Sequence, residues 1–312
     1  MCTIFEEVRQ TCAAAVHRNR GAGVLFSGGL DSAIVAAFAA DARTVSVSLE
    51  HGGDDIYYAQ RVADYLKLDH RHRVVTVDEA IEAIPDVIRI TESFDPVVPN
   101  NLTVYFGLQC AVEMGLPNIL TGDGSDELFA GYDFMLEMEN LGAYLARMRS
   151  TMGFSSNVIG RELGIDIRQP FLDESIVAIA KAVDLDLKVK YENGRLWGKW
   201  ILRKAFEGIL PHDVLWQGKR PLESGSGMTE LRRILEHRVS NEEFNSAKRH
   251  FPVKFWNREH YYYYRIYREV VGDVPAPAEG QKICHCCGTG MNHDTFHCEV
   301  CGDVVPWNNN AG

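Results

Sequence analysis

Three short stretches of this chain carry residues whose types and spacing could do chemistry. The first is Ser27-Gly28-Gly29-Leu30-Asp31-Ser32, which follows the apolar run Val24-Leu25-Phe26 and precedes Ala33-Ile34-Val35-Ala36-Ala37-Phe38. That order reads as strand, turn and helix start. A helix N-terminus presents unpaired N–H groups and a partial positive charge, which suits a phosphate. Gly28 and Gly29 let the backbone approach a ligand, and Ser27 and Ser32 add hydroxyl donors. Asp31 is the odd member, because a carboxylate beside phosphates needs a cation between them. The segment therefore implies a nucleotide bound with Mg²⁺. No lysine follows the glycines, so this is not the G-x-x-x-x-G-K-[ST] phosphate loop.

The second stretch is Thr121-Gly122-Asp123-Gly124-Ser125-Asp126-Glu127-Leu128-Phe129-Ala130-Gly131-Tyr132. It begins like G-x-G-x-x-G, but Glu127 stands where the third glycine belongs. Asp123, Asp126 and Glu127 would repel one another in a dry cleft unless cations compensate. Mg²⁺ shared with Asp31 is the economical answer. The third stretch is Cys284-x-x-Cys287, ten residues, then Cys298-x-x-Cys301, with Gly288 and Gly302 after each pair. Four thiolates at that spacing suit a closed tetrahedral Zn²⁺ site. So short a segment has too little core to fold without such a staple. Cys286, His285, His293 and His297 stay open as substitute ligands.

These residues need elements to hold them. Ile4, Phe5, Val8, Cys12, Ala15 and Val16 recur at helical spacing. Strands are expected at Val24–Phe26, Thr44–Leu49, Arg73–Val77 and Asn118–Thr121. Helices are expected near 32–40, up to Lys67 from a cap at Asp54 or Asp55, and over 79–91 and 102–114. Alternating strands and helices predict an α/β fold with a doubly wound parallel sheet. Ligands then sit beyond the carboxyl ends of the strands, so the loops after Phe26, Leu49 and Thr121 should share one cleft. From Phe134 to Arg268 the pattern is mainly helical, and the aromatic run Tyr261–Tyr264 reads as packing. The expected division is a domain over 1–272, a linker over 273–283 and a zinc ribbon over 284–312.

The totals narrow the class. A chain of 312 residues can hold one sizeable α/β domain and a small module. A net charge of −11 argues against a broad nucleic-acid or membrane-surface footprint. No apolar stretch near the first motif is long enough to span a bilayer, and the N-terminus lacks a signal-peptide pattern. Five of the eight cysteines lie in the tail, which is metal arithmetic rather than a disulfide framework. A reducing, cytoplasmic setting follows.

The hexapeptide around Asp31 resembles the pyrophosphate loop of ATP pyrophosphatases. The segment from Thr121 to Tyr132 resembles the second signature of the asparagine synthetase family. Arg168-Gln169-Pro170-Phe171-Leu172-Asp173 is similar to that family's R-x-P-F-L-D stretch. Lys199-Trp-Ile-Leu-Arg203 with Leu210-Pro211 is similar to its K-x-x-L-R…L-P segment. Lys219-Arg220-Pro221-Leu222, followed by Gly225-Ser226-Gly227, resembles the loop carrying the family's catalytic lysine. The likeness runs over about residues 20 to 235. It implies that Ser27, Gly28, Gly29 and Ser32 cradle pyrophosphate, and that Asp31 and Asp126 hold Mg²⁺. It places backbone groups of Leu25 and Val47 against adenine and Gly122 against the nucleotide. Asp123 takes the place of an acid implicated in binding the intermediate and in ammonia attack. Lys219 would neutralise charge on the transferring phosphoryl group. The implied reaction adenylates a small-molecule carboxylate, aspartate by default, releasing pyrophosphate. A nitrogen nucleophile then displaces AMP.

The resemblance has two departures. Met1-Cys2-Thr3-Ile4-Phe5 mimics the start of a glutaminase domain, yet about 25 residues before Ser27 are too few for one. Cys2 reads as incidental, and the nitrogen would come from free ammonia, an amine or a separate glutaminase subunit. Before Arg168, relatives often carry an Arg or Lys and a Met, whereas this chain reads Ser155-Ser156-Asn157-Val158-Ile159-Gly160. That leaves the acceptor open. A tRNA-modifying pyrophosphatase and a non-catalytic ATP-binding scaffold stay as alternatives, and the ribbon would dock a protein or tRNA partner.

Overall fold

The computed structural model describes residues 3–39 and 41–304; Cys2 lies outside them. The described residues fall into two compact units, one of residues 1–75 and 104–227, the other of residues 76–103 and 228–312.

The chain opens with helix α1 (Ile4–Asn19), started by a capping box between Thr3 and Glu6. Val8, Cys12, Ala15 and Val16 form its buried stripe, as their spacing predicts. Then follow β1 (Gly23–Leu25), α2 (Leu30–Phe38), β2 (Arg43–Leu49), α3 (Asp54–Leu66), β3 (His70–Val75), α4 (Val77–Thr91), α5 (Val98–Glu113), β4 (Asn118–Leu120) and α6 (Ser125–Phe129). Helices α7 (Leu141–Thr151) and α8 (Ser155–Glu162) lead into β5 (Asp166–Arg168).

In the first unit the five strands form one sheet in the order β3-β2-β1-β4-β5, and every pairing is parallel. This is the expected α/β architecture. Val24 and Phe26 share a buried cluster with α2 and α3 residues such as Ile34 and Val62. Leu25 and Val47 face the other way, toward Gly107 of α5. The strand order reverses between β1 and β4, the place where such sheets bind ligands. Both acidic motifs start there.

Some expectations need correction. Gly53, not Asp54 or Asp55, caps α3, and the two aspartates sit in its first turn. The third strand begins at His70 rather than Arg73. Its polar start is hidden in the sequence because His70 and His72 pair with hydroxyls of β2 instead of packing as apolar residues. β5 went unforeseen, since Asp-Ile-Arg carries no strand signal of its own. A small hairpin, Lys190–Glu192 with Arg195–Trp197, interrupts the helical region.

The second unit is built on α4 and the helices Glu230–His237, Asn241–His250 and Arg258–Val270. Tyr263, Tyr264 and Tyr267 are almost wholly buried, and the Phe94 ring meets His260, Tyr264 and Tyr267 with centroids 5.1–5.3 Å apart. The tyrosine run is therefore packing, as its helical setting suggests. The tail adds a two-stranded ribbon, Lys282–Ile283 with Gly290–Met291. Among the described residues no helix is long and apolar enough to cross a membrane.

Candidate functional site

The turn after β1 is shaped by its small residues. Gly28 has φ +72°, and a methyl group there would lie 2.2 Å from the Ala59 nitrogen of α3. Only glycine meets both demands. Gly29 is the N-cap of α2 and supplies no side-chain cap, so the first N–H groups of α2 have no capping side chain. The Gly29 N–H donates to Ser27 Oγ at 3.2 Å, and Ser32 Oγ donates to the Gly29 carbonyl at 3.2 Å. Gly122 closes against this turn; a methyl group there would stand 2.8 Å from Asp31 Cβ.

Beside the turn, two carboxylates and two ammonium groups form one cluster. Lys199 Nζ lies 2.6 Å from Asp31 Oδ2 and 2.7 Å from Asp126 Oδ1. Lys219 Nζ lies 2.6 Å from Asp126 Oδ2. Ser125 Oγ donates to Asp31 Oδ1 at 2.6 Å. The charges cancel within the cluster. Burial pushes Asp126 toward its neutral form, but the two lysines outweigh it and hold the carboxyl well below the usual range. Burial likewise disfavours the Lys219 ammonium, and Asp126 and Asp31 overcome it, raising its pKa. Glu127 has no such partner. Burial and the Asp126 charge push it up, and Tyr132 donates to it at 2.6 Å.

Lys199 is the member that sequence reasoning missed. Its motif is quoted above for the resemblance, yet nothing there marks it as the bridge between Asp31 and Asp126. Its side chain is 3% exposed, and its backbone is left-handed at φ 52°. Non-glycine residues hold that conformation only where the surroundings impose it. Gly131 makes the room: a methyl group there would lie 1.8 Å from Asp126 Oδ1 and 2.2 Å from Lys199 Cε. Arg203, four residues on, donates to the carbonyls of Gly198, Leu215 and Gln217 and so fixes the chain leading to Lys219. The loop after Lys219 is tied to β2 by the Leu49 N–H, which donates to the Ser226 carbonyl at 2.8 Å. Arg220 pairs with Asp55 at 3.4 Å, and burial still pushes the Asp55 carboxyl up to about 7.

Both oxygens of Asp31 and Asp126 Oδ2 each accept one hydrogen bond, and among the described residues the buried Asp126 Oδ1 accepts none, which leaves lone pairs for a hard cation. Such an all-oxygen set fits Mg²⁺ with phosphate oxygens and water completing its shell. Asp123 stands apart from the four-charge cluster. Its Oδ2 accepts from Thr121 Oγ1 at 2.7 Å, Ser156 Oγ at 2.6 Å and Gln169 Nε2 at 3.0 Å.

In the second unit, the Sγ atoms of Cys284, Cys287, Cys298 and Cys301 lie within 4.8 Å of one another. Cys284 and Cys301 are 3.6 Å apart, and Cys287 and Cys298 3.8 Å. A tetrahedral ion with metal–sulfur bonds of about 2.3 Å sets sulfur–sulfur edges of about 3.8 Å, so the set fits a metal. The two knuckles repeat one another. Gly288 N–H donates to the Cys284 carbonyl and Gly302 N–H to the Cys298 carbonyl, with both glycines left-handed. Cys286 instead donates to the Lys254 carbonyl.

A parallel sheet with a glycine turn at its switch point, ringed by acids and lysines, defines an α/β protein with a candidate phosphate site. The chain belongs to the asparagine synthase family, whose model matches residues 4–164 and 154–276. It is 30% identical over 279 residues to a glutamine-hydrolyzing asparagine synthetase of Zea mays, covering 80% of this chain and 47% of that one. It is 32% identical over 267 residues to a probable glutamine-hydrolyzing asparagine synthetase of Dictyostelium discoideum, covering 74% and 48%. The chain thus spans about half the length of the curated relatives it matches. Among solved structures, the U34-tRNA thiolase NcsA of Methanococcus maripaludis with its [4Fe-4S] cluster aligns over 92% of this chain and 84% of that one. Its 10% identity and TM-score of 0.29 carry no weight for function. The cysteine tail lies beyond the residues matched by the family.

Proposed function

We propose that the chain is an ATP-dependent amide ligase of the asparagine synthetase type, forming AMP and pyrophosphate. The observation that carries this reading is the Asp31–Lys199–Asp126–Lys219 cluster beside the turn of Ser27, Gly28, Gly29 and Ser32. The free N-terminus of α2 receives the β and γ phosphates. Asp31 and Asp126 hold Mg²⁺, which screens phosphate charge when bound. A substrate carboxylate, aspartate by default, attacks the α-phosphorus, and the α–β anhydride breaks. Lys219, fixed and fully charged, meets the charge that builds on the transferring phosphoryl oxygens. Leu25 and Val47 contact adenine through their backbones, and Gly122 lies against the nucleotide. Ammonia, an amine, or ammonia from a separate glutaminase subunit then attacks the acyl carbon at Asp123 and releases AMP. The four tail cysteines hold Zn²⁺ in a structural ribbon.

The test is to incubate protein, Mg-ATP and ammonium with each candidate carboxylate, and to measure pyrophosphate and AMP. Aspartate-dependent release of both in equal amounts is expected. Release stimulated only by tRNA would move the chain to the tRNA-modifying pyrophosphatases. Absence of any calorimetric binding of ATP under saturating Mg²⁺ would remove the reading altogether.

A further inference from the structure

Asp123 is held in an unusual way. All three of its hydrogen bonds fall on Oδ2, from Thr121, Ser156 and Gln169. Among the described residues, Oδ1 has no partner. Thr121 belongs to the motif itself, but the other two donors come from elsewhere. Ser156, 3% exposed, lies in the first turn of α8, and Gln169 directly follows β5. Gln169 is itself oriented, its Oε1 accepting from Asn157 Nδ2 at 3.4 Å and its Nε2 lying 3.5 Å from Ser156 Oγ. Ser156, and the Asn157 that orients Gln169, lie in the stretch where the sequence departs from the family's Arg-or-Lys and Met pattern. The departure thus coincides with a polar clamp on one carboxylate oxygen.

We infer that Ser156 and Gln169 are positioning residues for the second half-reaction, fixing Asp123 so that Oδ1 serves the incoming nitrogen. This rests on the ligase reading above. In that step the nitrogen lone pair of a neutral amine attacks the acyl carbon of the adenylate. The bond from acyl carbon to the phosphate oxygen breaks, and AMP leaves with the electron pair. The nitrogen sheds one proton, which Asp123 Oδ1 accepts and later returns to water. No oxidant or further reactant is needed. A carboxylate free to rotate would offer either oxygen, or neither, to the amine. One whose other oxygen is tied by three donors presents Oδ1 in one fixed orientation. The clamp has no part in attack on the α-phosphorus, so the two half-reactions should respond differently.

The experiment compares ATP–pyrophosphate exchange, which reads adenylate formation, with amide formation from ammonium. It uses the whole chain, aspartate as acceptor, and the variants Ser156→Ala, Gln169→Leu and Ser156→Thr. Exchange should stay within about twofold of the unmodified chain in all three, while amide formation falls about 10- to 100-fold in Ser156→Ala and Gln169→Leu. Ser156→Thr, which keeps the hydroxyl, should recover most of the rate. Hydroxylamine, which reaches the site largely deprotonated, should narrow the deficit of both weak variants. Equal loss of exchange and amide formation, or loss of neither, overturns the inference. Should Ser156→Ala fail to fold, Gln169→Leu alone decides by the same ratio. Failure of the unmodified chain to exchange at all would instead strike the ligase reading.

Discussion

Two regions of this protein each gather four ionisable side chains, one set from distant parts of the sequence and the other from a single short stretch, and they solve the resulting electrostatic problem in opposite ways. Around the glycine turn after β1, Asp31 and Asp126 meet Lys199 and Lys219, and the charges cancel inside the chain. In the ribbon, four cysteines of one kind converge with sulfurs 3.6–3.8 Å apart across two pairs. The first arrangement is stable before any ligand arrives. The second brings together groups that repel as thiolates and gain little as thiols. With the proposed metal in the ribbon, self-compensation and dependence on a foreign ion are separable, and each can be broken without touching the other.

The largest effect is expected from Lys199. Its ammonium bridges the two aspartates and its side chain is 3% exposed. Lys199→Met leaves buried carboxylates short of a counter-charge, a change that typically costs about 3–5 kcal/mol. Turnover should vanish with it. Lys219 is 27% exposed and touches only one of the aspartates. Lys219→Met should therefore lower turnover about 10²- to 10³-fold or more while stability falls far less. Urea denaturation and pyrophosphate release on the two variants check this. If Lys199→Met unfolds no more readily than Lys219→Met, the cluster is not held together as described.

The ribbon should respond to a different insult. Cys298→Ser, or prolonged exposure to a strong chelator, should release about one zinc per chain by elemental analysis. The consequence should be local. The Phe94 N–H donates to the Val300 carbonyl at 2.8 Å, and the Lys254 N–H donates to the Cys286 carbonyl at 3.0 Å. Hydrogen exchange at Phe94 and Lys254 should accelerate when the metal leaves, because a ribbon this small has no core to hold its own fold. Unchanged exchange at both amides after complete metal loss would show that the ribbon stands without its ion, and the contrast with the aspartate–lysine cluster would fail.

How much of this was legible in the sequence depends on how local each feature is. The turn at Ser27–Ser32, the acids of the second motif and the paired Cys-x-x-Cys knuckles are local, and their residue types state their chemistry. The helix with the tyrosine run is local too, and its packing followed from aromatic residues set on a helix. Lys199 was invisible as a bridge because its two partners lie 168 and 73 positions away, and no local pattern records them. The unit that joins residues 76–103 to 228–312 is equally non-local. Ser156 was noticed only as part of a departure from a pattern and Gln169 only as the variable position of a matching one; their convergence on Asp123 needed the parallel pairing of β4 with β5. The start of β3 was lost for another reason, which bears on a third way of burying polar groups.

That third way uses neither opposite charges nor a metal, but groups that must stay neutral. Thr44, Ser46 and Ser48 on β2 interleave with His70 and His72 on β3, with successive contacts of 2.9, 3.1, 2.7 and 2.9 Å. Thr44 Oγ1 also donates to the Asp69 carbonyl. One direction then follows along the row. Each imidazole donates from Nδ1, to Thr44 or Ser46, and accepts at Nε2, from Ser46 or Ser48. A proton added at either Nε2 removes that acceptor and forces the facing hydroxyl to turn its own proton elsewhere, which breaks the direction of the row. Burial lowers the pKa of both rings, and for His70 the neighbouring His72 charge adds to it, while Asp64 and Asp69 oppose it. The folded chain therefore binds fewer protons than the unfolded one. The stability this row supplies is complete above about pH 6.5 and is lost as pH falls through the lowered values. Urea denaturation at pH 7.5 and at pH 5 should show the unmodified chain losing about 1 kcal/mol more than a His70→Gln, His72→Gln double variant, whose amides do not titrate. Parallel losses in the two proteins would mean that the row tolerates a charge, and that neutrality is no condition of this part of the sheet.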